Sequence, residues 1–263
     1  KLINGKILRT NATGGSALFI EYFDVYMDNM IVDSNVAALD ASGYSASRKL
    51  FLGNSRFIGR GASTTLATNG FAYAENFYVE NTSTGIALMG LNVKNFTAKA
   101  GTGNCFQLPN AAGYANDFTL ISGTGIALGP SATGEKTITN FTIFSEGGNA
   151  IDLNNYTSTR HVISNFVIKA DDGVVFDTVG VELSNFDVIN VDGSLDMGFF
   201  ENNKVTNGRM ESRKTSGHIS VIRANNVFEN VSFIAKNTSG PALIDLGNVN
   251  NSVFKNCHFT SLL

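Results

Sequence analysis

Six of the seven aspartates between positions 152 and 196 are the residues whose type and spacing could do chemistry: Asp152, Asp171, Asp172, Asp177, Asp192 and Asp196. Hydrolysis of a glycosidic bond needs two carboxyl groups, about 5 Å apart in retaining enzymes and roughly 6.5–9.5 Å apart in inverting ones. Strands stacked at ~4.8 Å supply such gaps readily. Asp152, between apolar Ile151 and Leu153, points outward if its neighbours point in. Asp196, between Leu195 and Met197, is expected in the same column two coils on, about 10 Å away by strand spacing. Asp177 is expected on the intervening coil, two residues further along, about 8 Å from either. Asp152, Asp177, Asp196, Asp171 and Asp172 are therefore the candidate catalytic set, with Asp192, His218 and Arg223 as candidate substrate contacts. The bland reading stands beside it: Asp before Gly is ordinary bend chemistry, and outward Asp is ordinary solvation.

Other chemistry has less to stand on. Arg223, outward after Ile222, could serve as the base of a lyase, with Asp171 and Asp172 holding Ca²⁺ through hard oxygens. His161, His218 and His258 have neither metal-ligand spacing nor triad order. No metal or other cofactor is expected. Asn-x-Ser/Thr sequons at Asn95, Asn140 and Asn230 fall on the structural repeat described next and read as structural. An outward Thr column (Thr97, Thr119, Thr142) could hydrogen-bond sugars, although Thr on a strand face is mainly propensity. With no Trp, an aromatic platform falls to Tyr78 or Tyr156.

The elements that position these residues repeat. A motif apolar-x-Asn-apolar-x-apolar recurs along the whole chain, clearest as ITNFTI, ISNFVI, LSNFDV, FENVSF and FKNCHF. Its Asn, once Asp, falls at 4, 29, 54, 76, 95, 117, 140, 165, 185, 207, 230 and 256. A second short strand recurs in most gaps, as in GIAL (85–88 and 125–128), AIDL (150–153) and GVVF (173–176). Leucine-rich repeats would show a denser Leu signature, and propeller blades need about 40 residues. The spacing predicts an all-β, parallel β-helix of about twelve coils, one domain over residues 1–263, with stacked amides up an interior corner. An internal column of phenylalanines, from Phe77 to Phe186, is expected beside it. Because the first and last copies sit at the chain ends, a longer parent chain or covering partners are expected.

Composition excludes several classes. The net charge of −3 offers no basic stripe for nucleic acid. No apolar run approaches the roughly 18 residues that span a bilayer, so no membrane insertion is expected, and residues 1–20 show no signal-peptide pattern. Cys105 and Cys257 lie seven coils apart and cannot pair within one chain.

With its Asn-Phe-x-Ile ladder and Gly-Ile-x-Leu strands, the chain resembles the right-handed β-helices of the pectate-lyase-like superfamily, and within it the β-helix domains of bacteriophage tailspikes. KADDGVVF (169–176) is similar to the Asp-Asp-Gly segment of polygalacturonases. Asp152 stands one coil earlier without that family's Asn-Thr-Asp, Asp192-Gly193 one coil later lacks its His, Gly217-His218 comes two coils on, and the Arg-x-Lys pair is missing. The resemblance implies a homotrimer, extracellular or on a virion, that recognises and depolymerises a capsular or O-antigen polysaccharide, more as a glycoside hydrolase than a lyase. The alternative is a non-catalytic shaft or adhesin that binds glycan or packs in a trimer.

Overall fold

The computed structural model describes residues 1–11, 13–20, 24–41, 49–68, 74–90, 92–109, 112–129, 134–153, 161–171, 176–190, 197–199, 201–213, 220–235, 244–245 and 251–261. The chain is a parallel β-helix: every strand pairs in parallel with its counterpart one coil away. Two sheets run its length. The larger holds the Asn motifs, its strands including Ala74–Asn81, Val93–Ala100, Gly113–Ser122, Lys136–Ser145, His161–Ala170, Val181–Asn190, Lys204–Ser212 and Val227–Ala235. The smaller is built from strands of two to four residues, among them Leu128–Gly129, Ile151–Leu153, Phe176–Thr178 and Met197–Phe199. Leu88–Met89 and Leu128–Gly129 begin three residues after the start of their GIAL quartets and Ile151–Leu153 one residue after the start of AIDL, the residues before them lying outside the strand.

The regular solenoid comprises about 8 turns of ~23 residues, fewer than the twelve expected from motif copies. The eight long strands from Ala74–Asn81 to Val227–Ala235 are unbroken. The motif around Asn54 is split into Leu50–Gly53 and Ser55–Gly59, and the one around Asn256 into Val253–Lys255 and His258–Ser261. At the first copy Leu2, Ile3 and Leu8 are exposed. Counting motifs therefore overcounts the turns that are built regularly.

The motif's asparagine explains the shape of the long strand. In His161–Ala170 the buried residues are His161, Ile163, Phe166, Ile168 and Ala170, so the two-residue alternation slips by one at Asn165. A slip would turn one half of the strand inside out. Asn165 prevents this by adopting a left-handed backbone, φ 56°, which bends the strand so both halves face the core. All twelve motif positions share that conformation, with φ between 50° and 58°. Asn and Asp are the side-chain-bearing residues that tolerate it best.

This bend overturns the expected interior ladder. The asparagine side chains stand on the outside, most of them exposed. They still stack. Asn165 Nδ2 donates to Asn140 Oδ1 at 3.1 Å, Asn185 to Asn165 at 3.1 Å, Asn207 to Asn185 at 3.3 Å, Asn230 to Asn207 at 3.0 Å and Asn256 to Asn230 at 3.4 Å. The amide ladder is thus a surface feature beside the aromatic core.

The aromatic column is internal as expected. Phe77, Phe96, Phe118, Phe141, Phe166 and Phe186 stack nearly parallel, with centroids 4.8–5.2 Å apart. At one corner the coils approach so closely that a Cβ on Gly125 would lie 2.1 Å from the Gly103 carbonyl oxygen, and one on Gly148 1.9 Å from that of Gly125. Only glycine fits there. Cys105 is fully buried and burial pushes its thiol up to about 12, whereas Cys257 is half-buried.

Candidate functional site

A surface concavity follows from the bend. A strand that folds inward at a left-handed residue leaves an open angle on its outer side, and stacking repeats that angle into a groove. The groove has a volume of about 860 Å³ and spans six motif positions, Asn54, Asn76, Asn95, Asp117, Asn140 and Asn165. Five strand spacings make it about 24 Å long. Its wall beyond the ladder is the next outward column, Arg56, Tyr78, Thr97, Thr119, Thr142 and Val167, and the edges of the stacked phenylalanines reach its floor.

A charged cluster lies at the end nearer Asn54. Arg56 stacks over the Tyr78 ring, 4.9 Å from its centroid, and reaches Glu80 at 3.4 Å. Lys99 approaches Glu80 from the next coil at 3.3 Å, and the Tyr78 hydroxyl donates to Glu80 Oε2 at 2.9 Å. Burial alone would raise the Glu80 pKa, but Tyr78, Lys99 and Arg56 outweigh it and hold the carboxylate below its usual range. Burial, with the bond to Glu80, pushes the Tyr78 phenol up to about 12. Glu80 is thus an ionised anchor at neutral pH, unsuited to donating a proton, and Tyr78 is locked as a donor to it.

Further along, the groove carries neutral polar groups. Asp117 is the one acidic lining residue, and its oxygens accept from Asn140 Nδ2 at 3.1 Å and Asn116 Nδ2 at 3.0 Å. Asn116 in turn accepts from the Thr139 hydroxyl at 2.7 Å. The Thr column and Tyr78 were legible in the sequence; the groove was not, because the ladder was expected inside.

The aspartates lie elsewhere, in or beside the smaller sheet. Asp152 and Asp177 are direct register partners on adjacent coils, and Gly198 continues their column. This corrects the expected offset: Asp177 does not sit two residues beyond Asp152, and the column that was to hold Asp196 holds Gly198 instead. The column goes on through Val221 to Asp245, an acidic position the sequence reading missed. Asp171 is exposed, its amide donating to the Ser145 carbonyl at 2.9 Å. Arg223 is exposed just past the strand Ser220–Ile222, and its carbonyl accepts from Asn226 and Ser252. Asp172, Asp192, Asp196 and His218 lie outside the described residues. The candidates whose side chains are described, Asp152, Asp171 and Arg223, do not line the groove. Among the described residues, no group of three or more His, Cys, Asp or Glu is placed to hold a metal ion.

No protein-family model matches the chain, and no curated protein matches it either.

Proposed function

We propose that the chain recognises a polysaccharide, gripping an extended strand of it in the groove beside the external asparagine ladder. The observation that carries this reading is the groove itself: a continuous open channel lined by amides, threonine hydroxyls and one tyrosine. Sugars bind through many directional hydrogen bonds and contact of their C–H faces with aromatic groups, and both are on offer at the strand spacing. Retention on an array of capsular, O-antigen and plant-wall glycans tests it, with Thr119→Arg as the groove-blocking control. Loss of retention in that variant is the expected result; unchanged retention places the glycan elsewhere.

A second reading, depolymerisation, rests on the Asp152–Asp177 pairing. Positions in register on adjacent coils are ~4.8 Å apart, close to the carboxyl separation of retaining glycosidases. It is the activity expected of a tailspike-like domain, which would act as a homotrimer outside cells or on a virion. Reducing-end release by the wild type, lost in Asp152→Asn and Asp177→Asn while array binding persists, separates a depolymerase from an adhesin. Light scattering of the chain tests the trimer.

A further inference from the structure

The charge pattern of the groove bears on which polysaccharide it takes. Arg56 is its one cationic lining residue, and that guanidinium is committed to Tyr78 and Glu80. The one anionic residue, Asp117, has both oxygens accepting from asparagine amides. From Asn95 to Val167 the lining offers hydroxyls, amides and phenylalanine edges, with no cation at any rung. Recognition of a uronate or sialylated polymer places Arg or Lys against each carboxylate, because an anion desolvated without a partner is costly. From Asn95 to Val167 the lining offers such a ligand only neutral donors.

The geometry adds direction and repeat. Thr97, Thr119 and Thr142 are consecutive register partners, and the asparagines beside them step at the same spacing. A linear glycan lying along the solenoid axis meets a threonine hydroxyl beside an Asn or Asp on three consecutive rungs, Asn95/Thr97, Asp117/Thr119 and Asn140/Thr142, and the ~4.8 Å step between them is near the length of one extended sugar unit. A branch directed at the ladder or the threonine wall would strike it, whereas one on the open side would project into solvent.

We infer that the groove selects an uncharged polysaccharide, bound parallel to the solenoid axis with one sugar per coil. This rests on the reading of the groove as a glycan site and narrows it to a substrate class. It also separates the chain from enzymes of the superfamily it resembles that act on acidic pectins.

The test titrates the whole chain by calorimetry with hexasaccharides of two kinds. The neutral set is cello-, manno-, xylo- and chitohexaose; the acidic set is hexagalacturonate, hexamannuronate and hexasialic acid. At least one neutral hexaose is expected to bind, about tenfold or more tighter than any acidic one. Affinity should climb with each sugar from dimer to hexamer, and Thr119→Arg should abolish it without changing the melting temperature. An acidic hexamer that binds as tightly as the best neutral one overturns the charge selection while leaving the glycan site standing. Affinity that saturates at a disaccharide overturns the axial, rung-by-rung placement. Binding by none of the seven, or binding untouched by Thr119→Arg, overturns the glycan reading of the groove together with this one.

Discussion

Phe186 lies across the bare backbone of Gly208, its register partner on the next coil, so closely that a Cβ on Gly208 would sit 2.0 Å from the ring's Cζ. The aromatic column ends here because its next position carries no side chain to continue it. Gly208→Ala must displace the ring, and overpacking of a tight core costs roughly 1–3 kcal/mol. In a Phe186→Leu background the same substitution should cost less, because leucine has no ring edge at that spot. A double-mutant cycle by urea denaturation measures the coupling, expected at about 1 kcal/mol. A coupling near zero would show that the strain is relieved elsewhere.

The asparagine bends predict an unusual order of substitution costs. Asn165→Gly keeps the left-handed backbone available and loses only the exposed amide bonds to Asn140 and Asn185. Asn165→Ala loses the same bonds and adds left-handed strain of about 1–2 kcal/mol. Alanine should therefore be the worse replacement, although it is the smaller change in backbone entropy. Equal melting temperatures for the two variants would remove the bend from the account.

Stability should rise with pH across the acid range because of His161. Its ring is 1% exposed, and burial, reinforced by the charge of Lys136, lowers its pKa to about 4. The unfolded chain takes up the proton near its ordinary value of about 6.5, so between there and about 4 the unfolded state holds more protons. Stability is fully present above the upper value and is lost as pH falls through this window, by up to about 3 kcal/mol. His161→Leu should flatten denaturant midpoints between those limits. Lys136, lowered to about 8 by burial, acts in the same sense at higher pH: the unfolded lysine keeps its proton longer, so stability increases as pH climbs from there toward the ordinary lysine value.

Glu211 is 1% exposed although it belongs to an outward column. It accepts from Arg209 on one side and from Arg213 Nε, at 2.7 Å, on the other, while Arg209 also reaches Asp187 at 2.9 Å. Glu211→Gln removes the shared charge from between two cations and should cost about 1–3 kcal/mol. Arg213→Met should cost under about 1 kcal/mol, because that side chain is 44% exposed and its charge screened by water. Denaturant midpoints compare the two directly; a larger loss in Arg213→Met would overturn this assignment of roles.

How far the sequence foretold all this differs from feature to feature. The parallel β-helix and the phenylalanine column were legible because one residue type recurs at one offset in nearly every copy. The side of the wall on which the asparagines stand was not. An amide left outside an inward bend and an amide buried in a corner leave the same motif, and the difference lies in the backbone conformation at that residue. The slip between Ile163 and Phe166, three residues apart where strict alternation demands two, was the available clue. The pairing of Asp152 with Asp177 escaped for a related reason. In strands of two or three residues, flanking apolar letters do not fix register, and loops of unequal length shift it.

The amide column also has a polarity. Each asparagine from 140 to 256 donates toward the lower-numbered coil, so six side-chain dipoles point one way and converge on the carboxylate of Asp117, which accepts and has no hydrogen to pass on. The arrangement mimics an acidic cap at the amino end of an α-helix, where aligned peptide dipoles meet a negative charge. Replacing that one aspartate with asparagine would let the row run on toward Asn95, turning two separate electrostatic columns into one.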